Sequence, residues 1–189
     1  DGSITSFPKG NKGIKIGDNQ YPAAIYTLWT EAERNAIGIY TVVINNTNKK
    51  DEEYYTNTNQ TYAYDADAGT VTASYGTATA IAIADSGSGE NLVEGLKTKH
   101  KRIIDNQCAG ELAPSDWRVI REQETGDAMD SDWKTWRTNV RKKCNAMQTL
   151  ITNAANVDAL ATLYAYVNTA DEGDPEVYAR PLGEFPEKE

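Results

Sequence analysis

Few residues of this chain are of a type that carries chemistry. There is one histidine, His100, and there are two cysteines, Cys108 and Cys144. Three of the four tryptophans fall in "SDWRVIREQETGDAMDSDWKTWR", at Trp117, Trp133 and Trp136. A zinc site needs several Cys, His or carboxylate ligands at short spacings, and one histidine with two distant cysteines does not supply them. A Ser–His–acid triad would have to use His100. That residue sits inside "KTKHKR", which reads as a polar helix surface, and no strand–turn–helix elbow surrounds any serine. "SGSGEN" lacks the Lys-Ser/Thr of a phosphate loop and the third glycine of a dinucleotide fingerprint. Carboxylate pairs are so common among 28 acidic residues that they single out no acid–base couple. The residues predict no catalytic, cofactor-binding or metal-binding site.

The tryptophans allow two readings, stacking platforms for a sugar or base, or large anchors of a scaffold. Trp133, Trp136, Val140, Cys144, Met147 and Ile151 follow one another at steps of three or four, the seam of an amphipathic helix. Helical spacing thus accounts for two of the three tryptophans, and the scaffold reading is preferred. Ser131 is placed to cap this helix, with Asp132 in the first turn where negative charge suits the dipole. The earlier Ser115-Asp116-Trp117 reads as the same helix-start or turn signal used again. The helix should end near Asn153. Asn156 then caps a further helix with Val157, Leu160, Leu163, Tyr164 and Val167 on its inner face, giving an antiparallel helical hairpin.

Upstream, the stretch to about Gln20 reads as an extended arm. Thr30 and Glu33 form a capping box for a short helix that stops at Gly38. Ile39 to Ile44 reads as a strand. Tyr54 to Tyr64 reads as one or two strands, with Tyr62 and Tyr64 on one face, and Thr70 to Tyr75 returns as the far arm of a hairpin. Thr77 to Ala84 reads as a strand, with helix the competing reading because alanine favours it. As a strand it presents Ala78, Ala80 and Ala82 as a flat face that another backbone could approach. Those alanines, with Tyr62 and Tyr64, are the predicted assembly contact. "DSGSG" reads as a linker. Beyond it, Leu92, Leu96, Ile103 and Ile104 mark a helix from Glu90 to about Cys108, closed by Gly110. Val119 and Ile120 suggest only a short extended piece. The fold class is therefore α+β: a small β-rich N-terminal half of hairpins, then a helical half. The expected domains are 1–88, 89–170 and an acidic tail, 171–189.

Composition narrows the partners. The formal net charge is −9, which disfavours nucleic acid, since neutralising phosphates takes an excess of Lys and Arg. Two basic clusters, Lys97 to Arg102 and Arg137 to Lys143, read as solvated helix faces. No stretch is apolar enough to span a membrane. Two cysteines in helical contexts read as free thiols rather than a disulfide framework.

The segment "GELAPSDWRVIREQETGDAMDSDWKTWRTNVRKK" resembles the C-terminal part of tailed-phage tail-fibre and tail-fibre-assembly proteins. The pattern is carried by Leu112, Ser115, Asp116, Trp117, Trp133, Trp136, Arg137, Val140 and Arg141. "YTLWTEAERNAIGIYTVV" with "DEEYY" further on resembles the N-terminal part of marine-phage proteins of this kind. The resemblance implies a structural component of a bacteriophage tail, in the fibre or baseplate region, with no enzymatic activity and no cofactor. It implies Trp117, Trp133, Trp136, Arg137 and Arg141 as structural anchors. It also implies other phage tail proteins as partners, a homo-oligomer with threefold symmetry favoured, and a place in the virion after assembly in the host cytoplasm. A tail-fibre assembly chaperone that binds a fibre tip is the alternative. Assembly proteins usually finish soon after the position of Arg141, whereas here a further helix and an acidic tail follow. A cell-wall hydrolase is disfavoured by the missing site.

Overall fold

The structure, a computed structural model, describes residues 3–5 and 12–188. The protein is α+β and divides into two compact units, residues 1–79 and 80–189. The division falls inside the segment that was expected to be an alanine-faced strand, not after the Gly/Ser stretch at 88.

The first unit holds the strands. Of the expected N-terminal arm, residues 1, 2 and 6–11 lie outside the described residues. The remainder is not a bare arm: β1 (Ile14–Ile16) and β2 (Asn19–Tyr21) pair as an antiparallel hairpin, and Ile14 is buried. A short turn of helix, α1 (Ile25–Leu28), buries Ile25 completely. In α2 (Glu31–Ala36) the capping box forms as the sequence specifies. Thr30 N–H donates to Glu33 Oε2 at 2.7 Å, and Glu33 N–H donates to Thr30 Oγ1 at 3.3 Å. The chain leaves the helix through Gly38 at φ +84°.

A three-stranded sheet follows, ordered β3 (Val42–Asn45), β6 (Thr70–Ser74), β5 (Thr61–Asp65), with β4 (Tyr55–Thr56) between β3 and β5 in sequence. β3 runs parallel to β6, and β5 and β6 form the predicted antiparallel hairpin. Register places Val42, Val71 and Tyr64 side by side, and next to them Ile44, Ala73 and Tyr62. Side chains alternate along a strand, so these six share one face. The other face carries Val43, Thr72, Ala63, Asn45, Ser74 and Thr61. The sheet is amphipathic, and the middle of its apolar side, Val71 and Ala73, is buried.

The second unit is helical. β7 (Thr79–Ala80) is the only strand in the segment 77–84, at the boundary between the units. From there the backbone closes the start of α3 (Leu96–Leu112). Leu96 and Lys97 N–H groups donate to the Ala82 and Ile83 carbonyls at 2.9 and 3.0 Å. Gly95 is required here, because a Cβ would lie 2.4 Å from the Ala84 carbonyl. The expected linker is an ordered loop: Ser86 and Val93 form a β-bridge, and Asp85 accepts from Gly95 N–H at 2.7 Å and Thr98 Oγ1 at 2.9 Å. Asp85 therefore caps α3 from ten residues upstream of Gly95. Those donors hold its carboxyl below the ordinary range, the Gly95 N–H contributing most.

α3 starts later than expected and passes through Gly110 to Leu112. Its buried stripe is Leu96, His100, Ile104 and Cys108, every fourth residue, while Leu92 and Ile103 are exposed. His100 is thus a core residue, 2% exposed, with its ring centroid 4.9 Å from that of Tyr164. The flanking lysines belong to other faces of the turn. Val119 and Ile120 lie in a helix, α4 (Asp116–Thr125), and not in an extended piece. It ends at Gly126, whose φ of +78° lets its N–H reach the Glu122 carbonyl.

α5 (Ser131–Asn153) has the predicted bounds and seam, with Arg137 added to the buried set of Val140, Cys144, Met147 and Ile151. The Ser131 hydroxyl meets the Asp132 carboxylate instead of capping the backbone, and Asp130 takes the N-cap position. α5 runs antiparallel to α3: Arg137 meets Leu112 at one end, and Gln148 meets Asp105 farther along. Asn156 caps α6 (Val157–Tyr164) by accepting from Ala159 N–H at 2.8 Å, and Val157 and Leu160 are buried. The acidic tail is folded, although residues 171–179 are exposed. β8 (Val167–Asn168) pairs with β9 (Tyr178–Ala179), Leu182 is fully buried, and Leu182 N–H donates to the Leu163 carbonyl.

Candidate functional site

The repeated Ser-Asp-Trp motif and the Trp-Arg pair of α5 meet in one cluster. Ser115 ends the short 3-10 turn between α3 and α4, and its hydroxyl donates to the Leu112 carbonyl at 2.8 Å. Arg137 comes in from α5. One terminal nitrogen donates to the Leu112 carbonyl at 2.9 Å and to Ser115 Oγ. The other donates to Asp116 Oδ1 at 2.7 Å. Ser115 is fully buried and Arg137 is 5% exposed, so the guanidinium is spent on the fold and is closed to a ligand. Its planar fork satisfies the end of α3 and the start of α4 together.

The tryptophans surround this lock. Trp133 and Trp136 are half-buried and meet edge to face with centroids 5.5 Å apart. Trp136 Nε1 donates to the Pro186 carbonyl at 2.9 Å, tying the tail to α5. The Arg118 guanidinium lies over Trp133 at 4.4 Å and over Trp117 at 4.6 Å, with Lys188 on Trp133 at 5.3 Å. Trp117 is 50% exposed, a surface ring stacked against Arg118. Arg141 is likewise exposed and is not part of the lock.

Beside Trp117 a shallow cleft of about 40 Å³ is lined by Arg118, Arg121, Asp127, Met129 and Asp130. Arg118 faces Asp130 at 3.9 Å and Arg121 faces Asp127 at 3.4 Å. The charges are balanced in place, so the cleft is arranged neither as an anion site nor as an acid–base couple. Its floor loop is held to α4 by Glu122, which accepts from Lys134 at 2.6 Å and from Met129 N–H. The Lys134 bond is the main reason that the Glu122 carboxyl titrates low. Cys108 and Cys144 are free, buried and adjacent across α3 and α5. Burial, then the neighbouring Cys108 thiol and the Asp105 carboxylate, push the Cys144 thiol up to about 11. Among the described residues no group of three or more His, Cys, Asp and Glu is gathered that could hold a metal ion, and no helix is long and apolar enough to cross a membrane.

The residues of the predicted assembly contact are divided between the two units. Tyr62 and Tyr64 do share a face of β5 and are 47% and 45% exposed, with the Tyr64 hydroxyl 2.9 Å from that of Tyr40. Ala78 is half-buried, and Ala80 and Ala82 are exposed on a chain too irregular to form a flat strand face, because its backbone is engaged at α3. Sequence reasoning missed Asp85, Arg118 and Leu182. Asp85 was hidden by its Gly/Ser surroundings, Arg118 by its charge, and Leu182 by an acidic neighbourhood. Val42 and Ile44, expected as part of a strand, share a face of the sheet with Tyr62 and Tyr64. The chain matches no protein-family model, no curated protein and no solved structure.

Proposed function

We propose that this chain is a structural component of a bacteriophage tail, in the fibre or baseplate region, and acts through protein–protein contacts and not through catalysis. The reading rests first on the resemblance of the segment from Leu112 to Arg141. One observation carries it further. Four residues of that shared pattern, Leu112, Ser115, Asp116 and Arg137, form a single hydrogen-bonded lock. The pattern is thus a fold determinant, the kind of feature that relatives with no common ligand keep. In this reading the helical unit is the brace. The β-rich unit meets the neighbours, which are other tail proteins and further copies of the chain, a threefold arrangement being the favoured symmetry. The protein then resides in the virion after assembly in the host cytoplasm, and needs no cofactor. Mass spectrometry of purified virions tests it: the chain is expected at a fixed copy number in the particle. Presence only in lysates, bound to a fibre tip, would replace this reading with that of an assembly chaperone.

A further inference from the structure

We infer that the exposed indole of Trp117 and the cleft beside it bind a neutral saccharide. One pyranose ring lies on the open part of the indole, and its hydroxyls reach the Arg118, Arg121, Asp127 and Asp130 side chains. The inference goes beyond the assembly reading and does not depend on it. The ring is held in place in the fold. The Arg118 guanidinium lies 4.6 Å from the centre of the Trp117 ring and 4.4 Å from that of Trp133. The 50% exposed indole is therefore fixed by a stacked neighbour and not free to turn. The loop under the cleft is fixed as well, by the 9% exposed Met129 and by the Lys134 bond to Glu122. A surface set in advance loses little freedom on binding.

The polar groups around this ring are unspent. Among the described residues the Trp117 indole N–H has no hydrogen-bond partner, and neither guanidinium of the cleft donates a hydrogen bond. Arg118 meets Asp130 only at 3.9 Å, and Arg121 meets Asp127 at 3.4 Å, both longer than an ordinary hydrogen bond. The Asp127 and Asp130 side chains are 62% and 76% exposed, so their oxygens are open to a ligand.

These groups select the ligand. Arg118 and Arg121 are matched by Asp127 and Asp130, so the cleft gives an ionic ligand no net attraction. It offers donors and acceptors side by side, which suits hydroxyl groups, since each can donate and accept. The indole adds a flat apolar surface with a polar edge, and a pyranose has a flat face of C–H bonds ringed by hydroxyls. A nucleobase would stack as well, but it would bring phosphates toward Asp127 and Asp130 in a chain of net charge −9. The cleft, of about 40 Å³, admits hydroxyls at the edge of the sugar, while the ring itself stays on the indole. So small a contact binds in the millimolar range.

Titration of the full chain with maltotriose, cellotriose and mannotriose, followed by its indole N–H signals in NMR, tests this. The Trp117 signal, identified by its loss in Trp117→Phe, is expected to shift with at least one of these sugars and to saturate with a Kd of about 1–10 mM. Trp117→Ala should weaken that binding by about tenfold or more, with the helical circular dichroism spectrum kept. Tyr178→Ala, which removes an exposed aromatic outside the cleft, should leave it unchanged. Raising the salt to about 0.5 M should also leave it unchanged, because the ligand carries no charge. A Trp117 signal that none of the three sugars moves at about 100 mM overturns the inference. So does equal binding by Trp117→Ala. So does an oligothymidylate that moves the same signal at lower concentration and lets go in salt, which would assign the cleft to single-stranded nucleic acid. Virion mass spectrometry is independent of these outcomes: a sugar-binding chain absent from virions removes only the tail reading.

Discussion

Arg137 of α5 donates to Asp116 Oδ1 at 2.7 Å across twenty-one residues of sequence, and the two ends of the bond are unequal. The arginine side chain is 6% exposed and the aspartate side chain 55%. The carboxylate can be hydrated without its partner, whereas the guanidinium cannot. The Leu112 carbonyl and the buried Ser115 hydroxyl depend on Arg137 more than Asp116 does.

That asymmetry orders a mutation series. Arg137→Ala should cost about 2–3 kcal/mol, from the buried guanidinium's lost hydrogen bonds and packing, while the Ser115 hydroxyl keeps its bond to the Leu112 carbonyl. Arg137→Lys should cost about 2 kcal/mol, since a point ammonium lacks the fork that spans these acceptors. Asp116→Asn should cost under ~1 kcal/mol, as a half-exposed pair is screened by water. Urea melts of the full chain give the three values. A lysine variant as stable as the wild type would show that charge alone, without fork geometry, holds the joint.

Much of the fold was legible where one local rule acted alone. The Thr30–Glu33 box, the β5–β6 hairpin, the seam of α5 and the Asn156 cap each follow from periodicity or capping within a few residues. The misreadings arose where distant backbone changed the outcome. Alanines at 78, 80 and 82 alternate like a strand, but the carbonyls at 82 and 83 are taken by the start of α3. Asp85 lies in a string of small polar residues, and nothing local announces that its carboxylate caps a helix beginning at Leu96. His100 stands among lysines, yet it is in step with Leu96 and Ile104 along the buried stripe. The site residues divided likewise. The helical spacing put Trp133 and Trp136 in the buried seam, but both are only half-buried at the open end of α5, and Trp117 is exposed on α4.

The tail should be held to α5 through one indole. Trp136→Phe keeps the ring and loses the N–H bond to Pro186, and should cost about 1 kcal/mol; Trp136→Ala, at a half-buried site, should cost about 2–3 kcal/mol. Both variants should release the end of the chain. Cleavage after Glu184 by a glutamate-specific protease should quicken by about tenfold in the alanine variant, with the helices still protected. Unchanged cleavage would mean that Leu182, not Trp136, sets the anchorage.

Asp85 gives the start of α3 an acid dependence. Its carboxyl is lowered in the fold from an ordinary value near 3.8. A lowered carboxyl contributes stability that is fully present above the unfolded value and is lost as pH falls through the folded one. At neutral pH Asp85→Ala should lower the melting temperature by a few degrees. Below about pH 4 the gap between wild type and variant should close. Thermal melts followed by circular dichroism at stepped pH read this directly, and a gap that stays constant into acid would show that the Asp85 carboxylate charge plays no part.

The thiol pair tests the packing of α3 on α5 from the alkaline side. Cys144 is raised to about 11 in the fold, from an ordinary 9.0, first by burial and then by the Cys108 thiol and the Asp105 carboxylate. A raised acid contributes stability present below the unfolded value and lost as pH climbs through the folded one, so the window lies between these two pH values. Native chain at neutral pH should therefore react only slowly with iodoacetamide at either cysteine, and its intact mass should show two free thiols. Labelling of Cys144 should rise steeply as pH passes from 9 toward 11, whereas urea-unfolded chain should label fast by pH 9. Replacing Asp105 by Asn removes a nearby negative charge that opposes the thiolate, and should shift the Cys144 labelling curve to lower pH. Equal labelling of native and unfolded chain at neutral pH, or a mass lower by two hydrogens with a linked peptide, would contradict the buried, reduced pair that the facing helices enclose.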